Sequence, residues 1–213
     1  MRFSAVSLAN TSTRSKLRLF IATTNRDKLR EIRHVLADAP VELLSLQDVP
    51  GVPEPEETGA TFQDNARLKA LYYDAHAPAD AYTVAEDSGL MIDALDGDPG
   101  VRSARFLRPD ASYPERFREI YRRLVERPGQ TRAARFVCAV AVVRGGRIVH
   151  ETTGTVEGEV APEPRGTGGF GYDPILYYPP YSATLAEVTE PDKLAVAHRG
   201  RAFRQLADWM RGM

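Results

Sequence analysis

The sequence predicts a mixed α/β fold: an elongated mixed β-sheet with flanking helices that form two lobes around a central cleft. Three observations predict it. Apolar runs of strand length alternate with segments that carry apolar residues at helical spacing. Two long strand-like runs flank the pair Gly145-Gly146, the pattern of an antiparallel hairpin with a tight turn. No internal repeat or low-complexity tract is present. Helices interleaved with strands, together with one long hairpin, give the mixed architecture.

Each element follows from its local pattern. Residues 1–16 (MRFSAVSLANTSTRSK) are Ser/Thr-rich, polar and aperiodic, and are expected to form a flexible leader, leaving 17–213 as a single domain. LRLFIA, residues 17–22, reads as a buried strand, and RDKLREIRHVLAD after it places Leu29, Ile32, Val35 and Leu36 on one helical face. VELLSL, residues 41–46, is a second strand, followed by a loop rich in Pro, Gly and Glu that runs to Thr58. Thr61 caps the next helix, with Asp64 three residues on as in a capping box. Ala81 to Ala85 form a short apolar strand expected to end at Glu86-Asp87-Ser88-Gly89. Ser112 with Glu115 opens the helix PERFREIYRRLVE, and residues 133–144 and 147–156 are the two strands of the hairpin. After a Gly/Pro-rich loop the chain ends in a helix with Ala202, Leu206 and Trp209 on one face.

Composition narrows the function. The 213 residues are 43% hydrophobic and 27% charged, the make-up of one ordinary globular domain or of two small lobes around one core, which excludes a disordered tail protein. The longest apolar run, Phe136 to Val143, falls far short of the roughly 20 residues that span a bilayer. The N-terminus has no apolar signal core, so a soluble, cytoplasmic protein without a membrane partner is expected. Cys138 is the single cysteine and sits inside that apolar run, where it reads as a small core hydrophobe; a disulfide scaffold and a cysteine-ligated metal are excluded.

Twenty-eight basic residues against 29 acidic ones leave a net charge of -1, with no global positive field to hold nucleic acid. Any anionic ligand must be met by a local cluster. Lysine usage points to where: Lys16, Lys28, Lys69 and Lys193 are the only lysines among 28 basic residues, and three of them fall in the motif segments below. In an Arg-rich chain, a retained lysine suits a compact point charge of particular reach.

Five segments could carry chemistry. Thr23-Thr24-Asn25-Arg26-Asp27-Lys28 lies between a strand and a helix, where free backbone N–H groups and the positive helix end meet an anion. The same residues equally describe a helix capped by Thr24 or Asn25. Two carboxylate pairs, Glu56-Glu57 and Glu86-Asp87, offer the hard oxygen donors that suit Mg²⁺ held jointly with substrate phosphates, the alternative being solvated turns. In GTGGFGYDP, glycines surround Phe170, Gly171, Tyr172 and Asp173; an aromatic ring here could stack on a planar base or plug the core. Lys193, His198 and Arg199 supply further donors near the last helix.

Taken together, the strings ATTNRDKLREI, EETGATFQDNARLKA, AEDSGLMIDALDGDPGVRSARF, GTGGFGYDPIL, AEVTEPDK and AHRGRA resemble, in order and spacing from about Leu17 to Leu206, the noncanonical purine nucleoside triphosphate pyrophosphatases, which include inosine triphosphatase. The resemblance implies a homodimeric, Mg²⁺-dependent hydrolase of acid anhydrides. Such an enzyme cuts ITP, dITP and XTP between the α and β phosphates, releasing the monophosphate and pyrophosphate. It further implies that Thr23 to Lys28 bind the triphosphate, chiefly through Asn25 and Lys28. Asp87 would accept the proton of the attacking water and ligate metal, and Glu56 or Glu57 would complete the metal site beside Glu86. Ser88 would touch the nucleotide, Phe170 to Asp173 would hold the base, and Lys193 with His198-Arg199 would line the base end.

The chain departs from the usual bacterial pattern twice, with Glu86 in place of Asp and Ala197 in place of Ser. Glutamate keeps the charge but lengthens the reach, so Glu86 bears on metal geometry. Two other readings stay open on sequence: a purine nucleotide sensor without turnover, and a house-cleaning pyrophosphatase for other modified triphosphates.

Overall fold

The computed structural model describes residues 16–213; the expected leader, apart from Lys16, lies outside the described residues. Strand β1 (Leu17–Ile21), helix α1 (Arg26–Val35) and strand β2 (Val41–Ser45) form a unit whose strands pair in parallel, Leu19 opposite Leu43. Parallel neighbours need a crossover, and α1 supplies it. Helix α2 (Phe62–Asp74) then leads to β3 (Tyr82–Ile92), which pairs in parallel with the other side of β1. Helix α3 (Tyr113–Val125) follows. From β3 onward the pairing is antiparallel through β4 (Ala133–Arg144), β5 (Arg147–Val160), β6 (Leu176–Tyr178) and β7 (Ala183–Thr184). Helices α4 (Glu190–Val196) and α5 (His198–Arg211) end the chain. The result is one open 7-stranded sheet in the order β2-β1-β3-β4-β5-β6-β7, the mixed α/β fold that the sequence predicts.

Strand alternation sends successive side chains to opposite faces, and the core divides accordingly. Leu19 and Ile21 pack with Leu29 and Ile32 of α1 and with Phe203 and Leu206 of α5. Phe20 and Ala22 turn the other way, onto Phe62, Ala66 and Ala70 of α2. A third cluster gathers Phe117 and Ile120 of α3 against Leu90, Ile92, Phe136 and Val156 in the far half of the long strands. The hairpin turns at Gly145-Gly146 as expected, and the Asp74 carboxylate accepts the Gly146 N–H at 2.7 Å, tying the turn to the end of α2.

Three elements differ from expectation. The strand that begins near Ala81 does not end at Glu86: β3 runs on to Ile92, with Ser88 opposite Cys138 and Gly89 opposite Val137. Ser88-Gly89 is therefore mid-strand. Gly89 is there because the segment Gly100–Arg105 crosses the strand so closely that a Cβ would sit 2.3 Å from the Ser103 hydroxyl. The second hairpin strand extends to Val160 rather than Val156. Within the stretch read as a Gly/Pro-rich loop, β6, β7 and α4 form; each is too short to show a period, although Thr189 caps α4 by accepting the Asp192 N–H.

Candidate active site

A cleft of about 290 Å³ opens along β3, and its wall draws on α1, α2, α4, α5 and the loop that carries Phe170. At one end stands the start of α1. The Asn25 carboxamide oxygen accepts from the N–H of Asp27 (2.9 Å) and Lys28 (3.1 Å), and Thr23 Oγ1 accepts the Asn25 N–H at 3.2 Å. Asn25 is thus the cap that the sequence left open. The cap fixes the first turn, and from there Lys28 reaches across the cleft to Glu86 at 2.8 Å. Thr23, Thr24, Asn25 and Lys28 line the cleft; Arg26 and Asp27 do not, Arg26 being exposed and Asp27 paired with Arg30 at 2.5 Å.

Glu86 and Asp87 share β3, so alternation places them on opposite faces and gives each its own cation. Glu86 Oε1 meets Lys28 Nζ and, at 3.3 Å, Arg199 Nη2, while the Cys138 thiol donates to Oε2 at 3.4 Å. Burial alone would raise the Glu86 carboxyl, but Arg199, Lys28 and Lys69 outweigh it and hold the group well below the ordinary carboxylate range. Asp87 behaves oppositely. It accepts from Asn65 Nδ2 at 3.0 Å and Lys69 Nζ at 3.3 Å, yet burial, reinforced by the nearby Glu57, keeps its carboxyl above the ordinary value.

Glu57 lies against the same ammonium, 2.7 Å from Lys69 Nζ, and takes a second cation from Arg105 at 3.0 Å. Burial pushes it up, but Lys69 and Arg105 prevail and lower it. Glu56, its neighbour, is exposed and does not line the cleft. The pair able to hold a metal is therefore Asp87 with Glu57; among the described residues, no group of three or more His, Cys, Asp or Glu side chains is arranged to do so. Sequence reasoning missed Asn65 as a partner of Asp87 and left Lys69 as one lysine among four. The available signal was their i, i+4 spacing behind the Thr61 cap, which sets both on one face of α2.

At the other end, buried charges interlock. Lys193 Nζ bonds Glu31 Oε1 (2.7 Å) and Asp173 Oδ2 (2.5 Å), and Arg199 bonds Glu31 Oε2 (2.6 Å) and the Ser88 hydroxyl (2.9 Å). Asp173 also accepts the Phe170 N–H at 2.7 Å, and burial, opposed by Lys193, raises its carboxyl. The Phe170 ring faces this network, with Lys193 Nζ 4.9 Å and the Arg199 guanidinium 5.6 Å from its centroid. Tyr172 takes the structural course: it is buried in the third core and donates to the Ser103 carbonyl at 2.9 Å. His198 is buried beside Phe136, its Nδ1 without a hydrogen-bond partner among the described residues, and burial followed by the Arg199 charge holds it well below the ordinary histidine value. Glu31 was not foreseen, because on sequence it is one more acid in a charged helix.

Three of the four lysines thus meet in one cleft, Lys28 and Lys69 at one end and Lys193 at the other. An open mixed sheet with lysines and buried acids at one end of its cleft, and an aromatic ring beside hydrogen-bonding charges at the other, defines an α/β protein for an anionic ligand with a planar polar end. The chain belongs to the Ham1 family, whose sequence model matches residues 19–209. A dITP/XTP pyrophosphatase of Geobacter sulfurreducens is 44% identical over 191 residues, covering 90% of this chain and 95% of the relative. One of Halalkalibacterium halodurans is 40% identical over 193 residues, covering 89% and 97%. Among solved structures, a HAM1 protein from Coxiella burnetii superposes with a TM-score of 0.85 at 36% identity, covering 92% of this chain and 100% of that one. A nucleoside-triphosphatase / dITP/XTP pyrophosphatase from Mycobacterium abscessus gives 0.70 at 41% identity, covering 89% and 98%.

Proposed function

We propose that this chain is a nucleoside triphosphate pyrophosphatase that hydrolyses noncanonical purine nucleotides, ITP, dITP and XTP, to the monophosphate and pyrophosphate, clearing them from the nucleotide pool. The observation that carries this reading is the convergence of Asp87 and Glu57 on Lys69, in the cleft that Lys28 enters from α1. Its relatives bear the name dITP/XTP pyrophosphatase at high coverage.

Water attack on a phosphoryl group needs a base for the proton and cations for the phosphate oxygens. Asp87 is the base. Asn65 fixes one of its oxygens, and its raised carboxyl is better matched to taking a proton near neutral pH than an ordinary aspartate. Lys28 and Lys69 neutralise phosphate charge, and the capped first turn of α1 orients Lys28 toward it.

Mg²⁺ suits the donor set. This ion is commonly held by one or two carboxylates plus substrate phosphates, and Asp87 with Glu57 supplies two. The two carboxylates already converge on one cation, Lys69 Nζ, at 3.3 Å from Asp87 and 2.7 Å from Glu57, so their oxygens face a common point that suits positive charge. When bound, the ion supplies Lewis-acid neutralisation of the phosphate oxygens. Glu86, matched by Lys28 and Arg199, is assigned to positioning those two cations, and exposed Glu56 is left outside the metal pair.

Base choice has a hydrogen-bond logic. Hypoxanthine and xanthine present a 6-oxo acceptor and an N1–H donor, whereas adenine presents the reverse. Donors such as Arg199 at the 6-position would oppose the adenine amino group, and guanine must be rejected through its 2-amino group. A cytoplasmic homodimer is part of the proposal; no helix among the described residues is long and apolar enough to cross a membrane. The test is pyrophosphate release across ITP, XTP, dITP, GTP and ATP. The reading expects kcat/KM for the first three to exceed that for ATP by about 100-fold or more; equal rates on ATP would refute it.

A further inference from the structure

Glu57, one of the two acids assigned to the metal, sits in the stretch 52–59, which forms neither helix nor strand. Among the described residues, only two backbone groups of that stretch have hydrogen-bond partners in the protein: the Gly59 N–H, which donates to Asn65 Oδ1 at 2.7 Å, and the Glu57 carbonyl. The carbonyl is held by Arg105. Arg105 Nη2 donates to it at 3.2 Å while Nη1 donates to Glu57 Oε2 at 3.0 Å, so one guanidinium grips main chain and carboxylate together. Lys69, the other partner of Glu57, offers a single point charge that it shares with Asp87. A planar fork fixes direction as well as distance, which an ammonium does not.

Arg105 is itself anchored to the strand that carries Asp87. It ends the short helical segment Gly100–Arg105, whose Ser103 hydroxyl accepts the Leu90 N–H of β3 at 2.9 Å and donates to the Gly100 carbonyl at 2.6 Å. Gly89 makes room for this seam, since a Cβ there would strike both the Ser103 hydroxyl and the Gly100 carbonyl. A continuous path thus runs from Asp87 along β3 to Gly89 and Leu90, across to Ser103, and through Arg105 to Glu57.

Arg105 does not line the cleft, so it acts on a ligand through Glu57 and not by touch. With Oε2 of Glu57 taken by Arg105, Oε1 is the oxygen turned to Lys69, and Asp87 meets the same ammonium. Mg²⁺ accepts little distortion from octahedral geometry, and a ligating carboxylate is held in place by its own hydrogen-bond partners. We infer that Arg105 is the positioning residue of the metal pair, holding Glu57 by carboxylate and carbonyl together where it can share a divalent cation with Asp87. The inference rests on the Asp87–Glu57 pair proposed above.

Thermal melting with pyrophosphate present, titrated with Mg²⁺, tests it without turnover, because an ion that binds the folded state raises Tm. Arg105→Met removes both the fork and its charge. Charge alone would then favour Mg²⁺, a repelling cation having gone; loss of position works the other way, so the sign of the change decides. The Mg²⁺ concentration for the half-maximal rise in Tm is expected to increase by about 10-fold or more. Arg105→Lys, which keeps the charge but has no fork, is expected to need several-fold more Mg²⁺ than the unmodified protein, and it alone decides if Arg105→Met does not fold. In both variants saturating Mg²⁺ should return kcat on ITP to within a few-fold of the unmodified value. An unchanged or lower Mg²⁺ requirement in Arg105→Met, or full recovery in Arg105→Lys, would overturn the inference. So would a kcat that stays far below the unmodified value at saturating Mg²⁺, which would make Arg105 a substrate contact. No Mg²⁺-dependent rise in the unmodified protein removes the metal pair and the inference with it, whereas a rise that both variants reproduce removes the role of Arg105 alone.

Discussion

Glu86 and Asp87 are adjacent in sequence and stand on opposite faces of β3, Glu86 bonded to Lys28 at 2.8 Å and Asp87 to Asn65 at 3.0 Å. Two acids that would repel one another at a strand end are here separated by the sheet itself, each with its own cation. That separation divides the labour: an acid held low by compensating charge, and an acid held high by burial.

Glu86→Gln should therefore act on stability and on substrate affinity, not on metal. It leaves the Arg199 guanidinium and Lys28 short of a buried counter-charge, a loss of about 3 kcal/mol or more. Urea denaturation should register that loss, while the Mg²⁺ concentration for half-maximal pyrophosphate release stays within about twofold of the unmodified protein. A several-fold shift in that concentration would return Glu86 to the metal site.

Lys69→Met removes the ammonium that Asp87 and Glu57 share. The two carboxylates then face each other with Arg105 and Lys28 as the cations that remain near them, so the protein should melt at lower temperature without Mg²⁺. A ligand that binds only the folded state stabilises by RT ln(1 + [L]/Kd), about 2.7 kcal/mol at 100 times Kd. Added Mg²⁺ should raise the Tm of the variant more than that of the unmodified protein. No Mg²⁺-dependent shift in either protein would contradict the Asp87–Glu57 metal pair.

His198 predicts a pH dependence of stability. Its folded-state value lies well below the unfolded one, through burial and the charges of Arg199, Lys193 and Lys28, with Glu86 opposing. Between the folded value and about 6.5, the unfolded chain binds the proton and the folded chain does not, so stability is intact above that range and falls as pH drops through it. The slope from this one group is about 1.4 kcal/mol per pH unit. His198→Phe, of similar shape beside Phe136, should flatten that fall in urea denaturation between about pH 6.5 and 5. An unchanged difference between the two pH values would show that His198 does not titrate on unfolding.

What the sequence made legible, and what it did not, follows from the range of the interactions. Thr61, Ser112 and the Gly145-Gly146 turn act within four residues, and the structure has each where the pattern put it. Lys28, Lys69 and Lys193 stood out because, Lys16 apart, the rest of the chain uses arginine, and all three line the cleft. Glu31 and Asn65 were invisible because a polar residue on a helix gives no sign of which way it faces until another element packs on it. Glu31 acquires its role from Lys193, 162 positions away, and Asn65 from Asp87, 22 positions away. Ser88-Gly89 was misread as part of a strand end for the same reason: only the approach of Ser103 explains the missing side chain.

Asp87, between Asn65 and Lys69, is the base proposed to drive hydrolysis of the triphosphate between its α and β phosphates. The direct measurement is single-turnover product analysis with ITP and Mg²⁺ for the unmodified protein and Asp87→Asn, alongside ITP binding to each. Inosine monophosphate and pyrophosphate are expected in equal amounts from the unmodified protein. For the variant the expected rate is lower by about 100-fold or more, with ITP still bound. Orthophosphate in place of pyrophosphate, or a variant within a few-fold of the unmodified rate, would contradict that assignment.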